Sequence, residues 1–394
     1  MIKNRLLFTW HTAASMSELP QIPIAFGARV RPSPYFESTL QHGVSAFSVY
    51  NRMLLPMTYQ DVETDYWDVV NRVSIWDVGC ERQVAIVGPD AAVFTQHLVT
   101  RDVTKIKPGR ARYTLVCQED GGILNDPVLL RLADDHFWLS LADSEILLWA
   151  KGVAHNSGFD VEIREPDVSP IQIQGPKSPD LMRSLFGDEL DGLGFYHFLD
   201  TALDGVPMLV ARTGWSGEVG YEIFLRDGAK GGWLWDRLFE AGQPLEVMAG
   251  APNNIRRMEA GFLSWGSDMD SNMNPYEMGL DKFVDLDSDS DFIGKSALTE
   301  IAAVGPTRRL TGLFVEGDPI LQGPLRWWPV TADGDEIGFV TSATWTPAME
   351  RNIAFAILEV GCTDTGRSVC VVIPDGERTA TTTAIPFVDP RYRD

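Results

Sequence analysis

Cysteine is scarce. The 394-residue chain has four, Cys80, Cys117, Cys362 and Cys370, and no two form a Cys-x-x-Cys pair. That spacing excludes a disulfide-stapled framework and a thiolate zinc cluster, and it fits reduced thiols in a cytoplasmic protein. The six histidines show no H-x-x-x-H spacing, so no metal is expected. Positive charge is short as well: 33 Lys and Arg stand against 55 Asp and Glu, a formal net charge of −22 at pH 7. Such a surface repels phosphate backbones and anionic lipid, so neither nucleic acid nor a membrane is an expected partner. No apolar run approaches the roughly 20 residues needed to span a bilayer. Lys3 and Arg5 precede an apolar patch too short for a secretory signal. Residues 1–20 are expected to be a disordered extension, with Met16 an alternative start to Met1.

What is present suits a globular chain of two or three domains: 44% apolar and 22% charged residues. Gln83 to Val87 alternates like a strand, and Pro89-Asp90 opens a helix. The words AIVGPDAAVFTQHL and IQIQGPKSPDLMRSLFG share one layout, strand, Gly-Pro, helix, which suggests an internal duplication. Further helices are expected over Asp61 to Val70, Gly231 to Ala241, and Ile255 to Leu263 with Asn253 or Asn254 as cap. Ser38 is expected to cap a short helix, and Asp143 or Ser144 the helix after the strand that starts at Phe137. Ser45 to Leu55 reads as extended. From Pro306 onward the period shortens to strands and turns, a small all-β domain.

Two stretches carry chemistry. In ARTGWSGEVGYEIF, Gly214, Gly217 and Gly220 recur at every third position, a turn that lets a ligand or another strand come close. A strand begins near Tyr221, with Glu222 on the face opposite Tyr221 and Ile223. Glu222 is either a solvated hairpin residue or a carboxylate placed to accept two N–H donors from a flat heterocycle. In GRARYTLVCQEDGGILNDPVLLRL, strands from Tyr113 to Cys117 and from Ile123 to Leu132 flank a turn. Asn125-Asp126-Pro127 interrupts the second strand, and such local inconsistency marks either a bulge or a functional site. Tyr50, Asn51 and Met53 are candidates for a pocket wall, with Tyr50 equally readable as a core aromatic. Arg257 and Glu259 would ordinarily be a solvated helix face. Trp265 and Tyr276 lie on the loop beyond.

The word Arg-Thr-Gly-aromatic-Ser/Thr-Gly-Glu-x-Gly-Tyr-Glu resembles the signature of the folate-dependent aminomethyltransferase family, which contains the glycine cleavage T-protein and its demethylase relatives. RMEAG, NPYEMGLDKFV, FIGKSAL and IGFVTSATWTPAMERNIAFAILEV follow the same family, so the resemblance runs from about Tyr35 to Pro386. It implies an α+β fold: a three-lobed ring of two ferredoxin-like α+β domains plus a C-terminal Greek-key β-barrel. The expected division is 21–70 with 161–250 as the first, folate-binding lobe, 71–160 with 251–305 as the second, and 306–394 as the barrel. The resemblance implies tetrahydrofolate held by Tyr113, Asp126, Glu222 and Arg257, with Asp126 the catalytic carboxylate. It implies a small-molecule methyl donor met by Tyr50, Trp215, Phe224 and Trp265, and a homodimer at family level. Within the family the chain is most similar to the branch that demethylates dimethylsulfoniopropionate. Asn125 and Ala142 stand where the T-protein has an acid and an asparagine, which argues against glycine cleavage. Phe224 replaces a tyrosine of the demethylase branch, so a betaine-like N-methyl or an aryl methyl ether remains an alternative donor. A non-enzymatic folate-binding protein is less favoured, since its Lys-Gly-Cys word is missing.

Overall fold

The computed structural model describes residues 27–392, so the expected extension at residues 1–20 lies outside the described residues. The two α+β layers and the C-terminal barrel are both present. One sheet has six strands in the order Phe198–Leu203, Val206–Ala211, Gly220–Leu225, Ser169–Gln174, Ser74–Asp77 and Met248–Gly250. Its pairs are antiparallel except the last, which is parallel. The second has five antiparallel strands, Glu162–Arg164, Gln83–Val87, His136–Ser140, Val128–Ala133 and Arg110–Tyr113. Six more strands, from Arg308–Val315 to Gly376–Thr383, close into the barrel, and closure removes the free edges a small sheet would expose.

Strand alternation decides which faces meet. Ile171 and Ile173 in one strand, and Tyr221, Ile223 and Leu225 in the next, turn to helices Ser178–Phe186 and Gly231–Gly242. In the five-stranded sheet Val84, Ile86, Phe137 and Leu139 likewise turn to helices Ala91–Leu98 and Ile146–Ala154. The inner faces of the two sheets then meet each other: Ala85, Ala111, Leu130 and Trp138 pack on Leu209, Ala211 and Phe224. Each fully buried Leu, Ile or Phe side chain contributes about 1.5–3 kcal/mol to holding these layers. The duplicated words have equivalent geometry. Gly88 and Gly175 both take positive φ (138° and 119°), and a Cβ on either would lie within 2.5 Å of a backbone carbonyl, so only glycine fits the start of each helix.

Several local expectations shift. Ser74–Asp77, placed beforehand with the second lobe, pairs in the six-stranded sheet because Ile75 shares its helix-facing core. Glu162–Arg164, placed with the first lobe, is the edge of the five-stranded sheet. The 251–305 segment packs on both the second lobe and the barrel, Met258 and Met278 sharing a cluster with Ile123 and Phe355. Ser38 lies within helix Phe36–Gln41 instead of capping it. Helix Ile146–Ala154 has no side-chain cap, because Asp143 accepts the Asn51 amide at 2.7 Å and Ser144 donates to Leu124 O at 2.7 Å. Helix Asn254–Glu259 is capped by Asn253 as expected but stops early, since Gly261 takes φ +78° against Ile385. The extended stretch at Ser45 to Leu55 is a hairpin, Ala46–Tyr50 with Met53–Thr58, turned by Asn51 and Arg52 at φ 48° and 60°.

Candidate active site

A cavity of about 1110 Å³ opens where the inner sheet faces part and the barrel closes over them. Gln172, Thr213 and Glu222 come from the six-stranded side, Tyr113 and Asp126 from the other, and Leu310 and Thr383 from the barrel. The same alternation that buries Ile223 among the helices turns Glu222 into this space. Glu222 is 5% exposed, accepts the Gln172 Nε2 hydrogen at 2.6 Å, and takes a short hydrogen bond from the Thr213 hydroxyl. Burial raises its pKa while those two bonds work the other way.

The glycine loop brings Thr213 to that carboxylate. A Cβ at Gly214 or Gly220 would stand 2.2 or 2.4 Å from the Gln174 amide nitrogen, so what approaches these glycines is a side chain of the neighbouring strand. Ser216 Oγ donates to Gln174 Oε1 at 2.6 Å, and Gln174 Nε2 reaches Thr213 O at 3.3 Å. Gly217, at φ +76°, leaves room for Ala260, whose Cβ is 2.4 Å from where a Cβ would stand.

Asp126 sits at the break between strands Ile123–Asn125 and Val128–Ala133, where Pro127 interrupts the ladder. Tyr113 donates to Asp126 Oδ2 at 2.8 Å, and Oδ1 is buried with no partner among the described residues. Burial pushes the Asp126 carboxyl up to about 7, against the lowering pull of the Tyr113 bond. Asn125 does not face the cavity as a second acid would. Its amide spans Ala142 O (3.0 Å) and Ser144 Oγ (2.7 Å), and its Oδ1 accepts the Ala142 amide at 3.1 Å. The loop so held presents Asp143 to Asn51, which fixes the hairpin carrying Tyr50 over the cavity.

Tyr50, Trp215 and Trp265 line the cavity as expected. Each indole is anchored, Trp215 Nε1 to Leu263 O at 3.2 Å and Trp265 Nε1 to Ile123 O at 3.0 Å. Tyr50 has its pKa raised, first by burial and then by Glu81. One expectation needs correction. Phe224 is 1% exposed, lies outside the cavity wall, and packs with its ring centroid 6.3 Å from that of Trp138 between the sheets. Glu222 and Phe224 share a face, but one pleat further along the sheets have closed and the space is filled. Arg257 does line the cavity, yet its guanidinium is committed elsewhere. It pairs with buried Asp268 and bonds Asn254 (2.8 Å), Phe262 O (3.0 Å) and Ser342 (2.9 Å), with Trp215 stacked 5.5 Å from its centre. Neighbouring Arg256 and Glu259 are equally buried, tying the glycine loop through Glu218 and the barrel through Thr346.

Sequence reasoning missed Glu81, Gln172, Thr213 and Tyr196, all in the wall. Gln172 Oε1 is a second buried oxygen without a partner among the described residues. Its Nε2 lies 3.5 Å from Glu81 Oε1 as well as bonding Glu222. Burial, then the charges of Glu222 and Asp126, push the Glu81 carboxyl well above the carboxylate range. The IQIQ alternation was a usable signal for Gln172; nothing in the local pattern marked Glu81.

Known proteins share this fold and domain order. Residues 35–288 match the family model of the GCVT N-terminal domain, and 308–389 match the glycine cleavage T-protein C-terminal barrel domain. The dimethylsulfoniopropionate demethylase DmdA of Ruegeria pomeroyi is 42% identical over 90% of this chain and 96% of its own length. An aminomethyltransferase of Streptomyces avermitilis is 32% identical over 84% of this chain and 91% of its own. In fold, the chain superposes on the glycine cleavage system aminomethyltransferase T of Bartonella henselae with a TM-score of 0.83, covering 93% of this chain and 100% of that one at 24% identity. With both domain models matched in order and the relatives covered almost end to end, the chain belongs to the glycine cleavage T-protein family of tetrahydrofolate-dependent transferases.

Proposed function

We propose that the protein transfers a methyl group from dimethylsulfoniopropionate to N5 of tetrahydrofolate, leaving methylthiopropionate and 5-methyltetrahydrofolate. The observation that carries this reading is Asp126, a buried carboxylate with one free oxygen and a pKa near 7, facing a cavity walled by indoles. The wall suits a reduced pterin. Glu222 offers two carboxylate oxygens, and Gln172 Oε1 and Asp126 Oδ1 are acceptors that lack donors within the described chain. When bound, tetrahydrofolate supplies the amine nucleophile, and the methyl leaves a sulfur that departs neutral.

The chain's own work is placement and charge. Trp215 and Trp265 line the cavity and are held by their indole N–H groups, and a desolvated onium against an indole face gains about 0.5–2 kcal/mol. Asp126 stabilises positive charge arriving opposite its Oδ1 and takes the proton released from N5. Tyr113 fixes that carboxylate through Oδ2. Of the two cations in the wall, Arg257 is spent on Asp268, while Lys282 is exposed and forms no ion pair among the described residues. Lys282 is therefore the one to meet a donor carboxylate. Asn125 supports methyl over aminomethyl transfer, because its amide is consumed in holding the Ala142–Ser144 loop. The four thiols are free, which suits the cytoplasm.

The test is a donor panel. With tetrahydrofolate, the purified protein should convert dimethylsulfoniopropionate to the thioether faster than glycine betaine or an aryl methyl ether. Turnover of an N-methyl or O-methyl donor with none of the sulfonium would refute the proposal.

A further inference from the structure

Besides Asp143, which accepts the Asn51 amide, three carboxylates, Glu81, Asp126 and Glu222, line one cavity, and no lysine or arginine among the described residues forms an ion pair with any of the four. Two are provided for. Glu222 is bonded through both oxygens, and Asp126 through one. Glu81 is not. Among the described residues its carboxylate has a single, weak hydrogen bond, the 3.5 Å approach of Gln172 Nε2, whose amide is already drawn to Glu222 at 2.6 Å. Gln172 is itself 1% exposed and leaves Oε1 without a partner at the same wall. The cluster is thus incomplete in two ways: it lacks donors, and it lacks positive charge.

Glu81 is half-buried at the cavity wall, and a carboxylate drawn partly from water is held in its ionised form by a cation or by donors set against it. Pterin N–H donors meet Glu222 and the unpartnered oxygens but bring no charge. Tyr50, which shares the wall with Glu81, offers a ring and a single hydroxyl. A cationic second substrate would supply the missing charge and hold Glu81 ionised against the burial that raises its pKa. We infer that Glu81 is a specificity-determining residue for the methyl donor, its carboxylate facing the cationic centre and selecting onium donors over uncharged ones. The inference rests on the methyl-transfer reading. It also divides the electrostatic work: charge starts beside Glu81 and ends beside Asp126, so Glu81 acts on donor binding and Asp126 on the chemical step.

Binding is measured by calorimetry on the full chain without tetrahydrofolate, using two probes of one shape, 3-(trimethylammonio)propanoate and its uncharged carbon isostere 4,4-dimethylpentanoate. The cation should bind about tenfold tighter or more. Glu81→Gln should bring the two Kd values together while leaving the tetrahydrofolate Kd within about threefold. Equal binding by the unsubstituted protein, no binding of the cation at millimolar concentration, or a preference that survives Glu81→Gln overturns the inference. So does a variant that loses folate affinity and keeps the cation preference, which would assign Glu81 to the pterin. The two-probe comparison on the unsubstituted protein stands even if the variant does not fold, and Glu81→Met then repeats it. No methyl transfer enters the measurement, so its failure is distinct from failure of the proposed reaction.

Discussion

Tyr113 donates a 2.8 Å hydrogen bond to Oδ2 of Asp126, and the other oxygen of that carboxylate is buried without a partner among the described residues. One bond fixes the group and leaves its remaining basicity for the substrate. Tyr113 in turn packs edge-to-face with Phe283, ring centroids 4.8 Å apart, so the phenol is braced. Asp126→Asn keeps the shape and removes the base. It should lower kcat by about 10²- to 10⁴-fold with little change in the tetrahydrofolate Kd. Stopped assays of 5-methyltetrahydrofolate formation and a folate titration would separate the two effects.

The same carboxyl sets the pH response. Burial raises it to about 7; Tyr113, Glu81, Tyr50 and Tyr196 are the titratable groups around it in the wall, with Asp268 acting from behind. A base must be deprotonated to accept a proton, so kcat/KM should rise with pH through a group near 7 and flatten above it; Asp126→Asn should abolish that limb. Stability runs the opposite way. A native pKa above the unfolded value means the folded protein holds more protons, so this stabilising share is full in acid and lost as pH climbs through 7. Asp126→Asn should therefore melt a few degrees higher than the parent at pH 8, read by calorimetry.

Glu222→Ala should weaken tetrahydrofolate by about ten- to a hundredfold, since it removes both acceptors and leaves Thr213 and Gln172 without theirs. A folate titration unchanged by this substitution would remove Glu222 from the cofactor site.

Phe224→Tyr tests the correction made for that residue. The ring is buried between the sheets against Trp138, so an added hydroxyl meets apolar atoms and should cost about 1–3 kcal/mol of stability. The donor KM should not move. Trp215→Ala, in contrast, should raise that KM about 2- to 30-fold at nearly constant Tm.

The fold was legible where periodicity speaks. Gln83–Val87 begins and ends where its alternation does, and the barrel follows the short strands past Pro306. Glu222 was legible from alternation too, since its face follows from Tyr221 and Ile223. Phe224 shares that face, and the donor contact that the resemblance implied for it is displaced, because alternation gives the side of a strand and says nothing of where two sheets close. Helical spacing alone would leave Arg257 and Glu259 as solvated charges, but both are buried, for Asp268 lies on the loop beyond their helix and Thr346 in the barrel. Glu81 was invisible for the same reason: its neighbours are assembled from three separate segments.

The most direct measurement follows the methyl group itself. Dimethylsulfoniopropionate carrying ¹³C in its S-methyl groups is incubated with the protein and tetrahydrofolate under anaerobic conditions, and the products are read by NMR. The account predicts label on N5 of 5-methyltetrahydrofolate in equal amount to methylthiopropionate formed. Label that remains wholly on sulfur, with the folate unchanged, would contradict it.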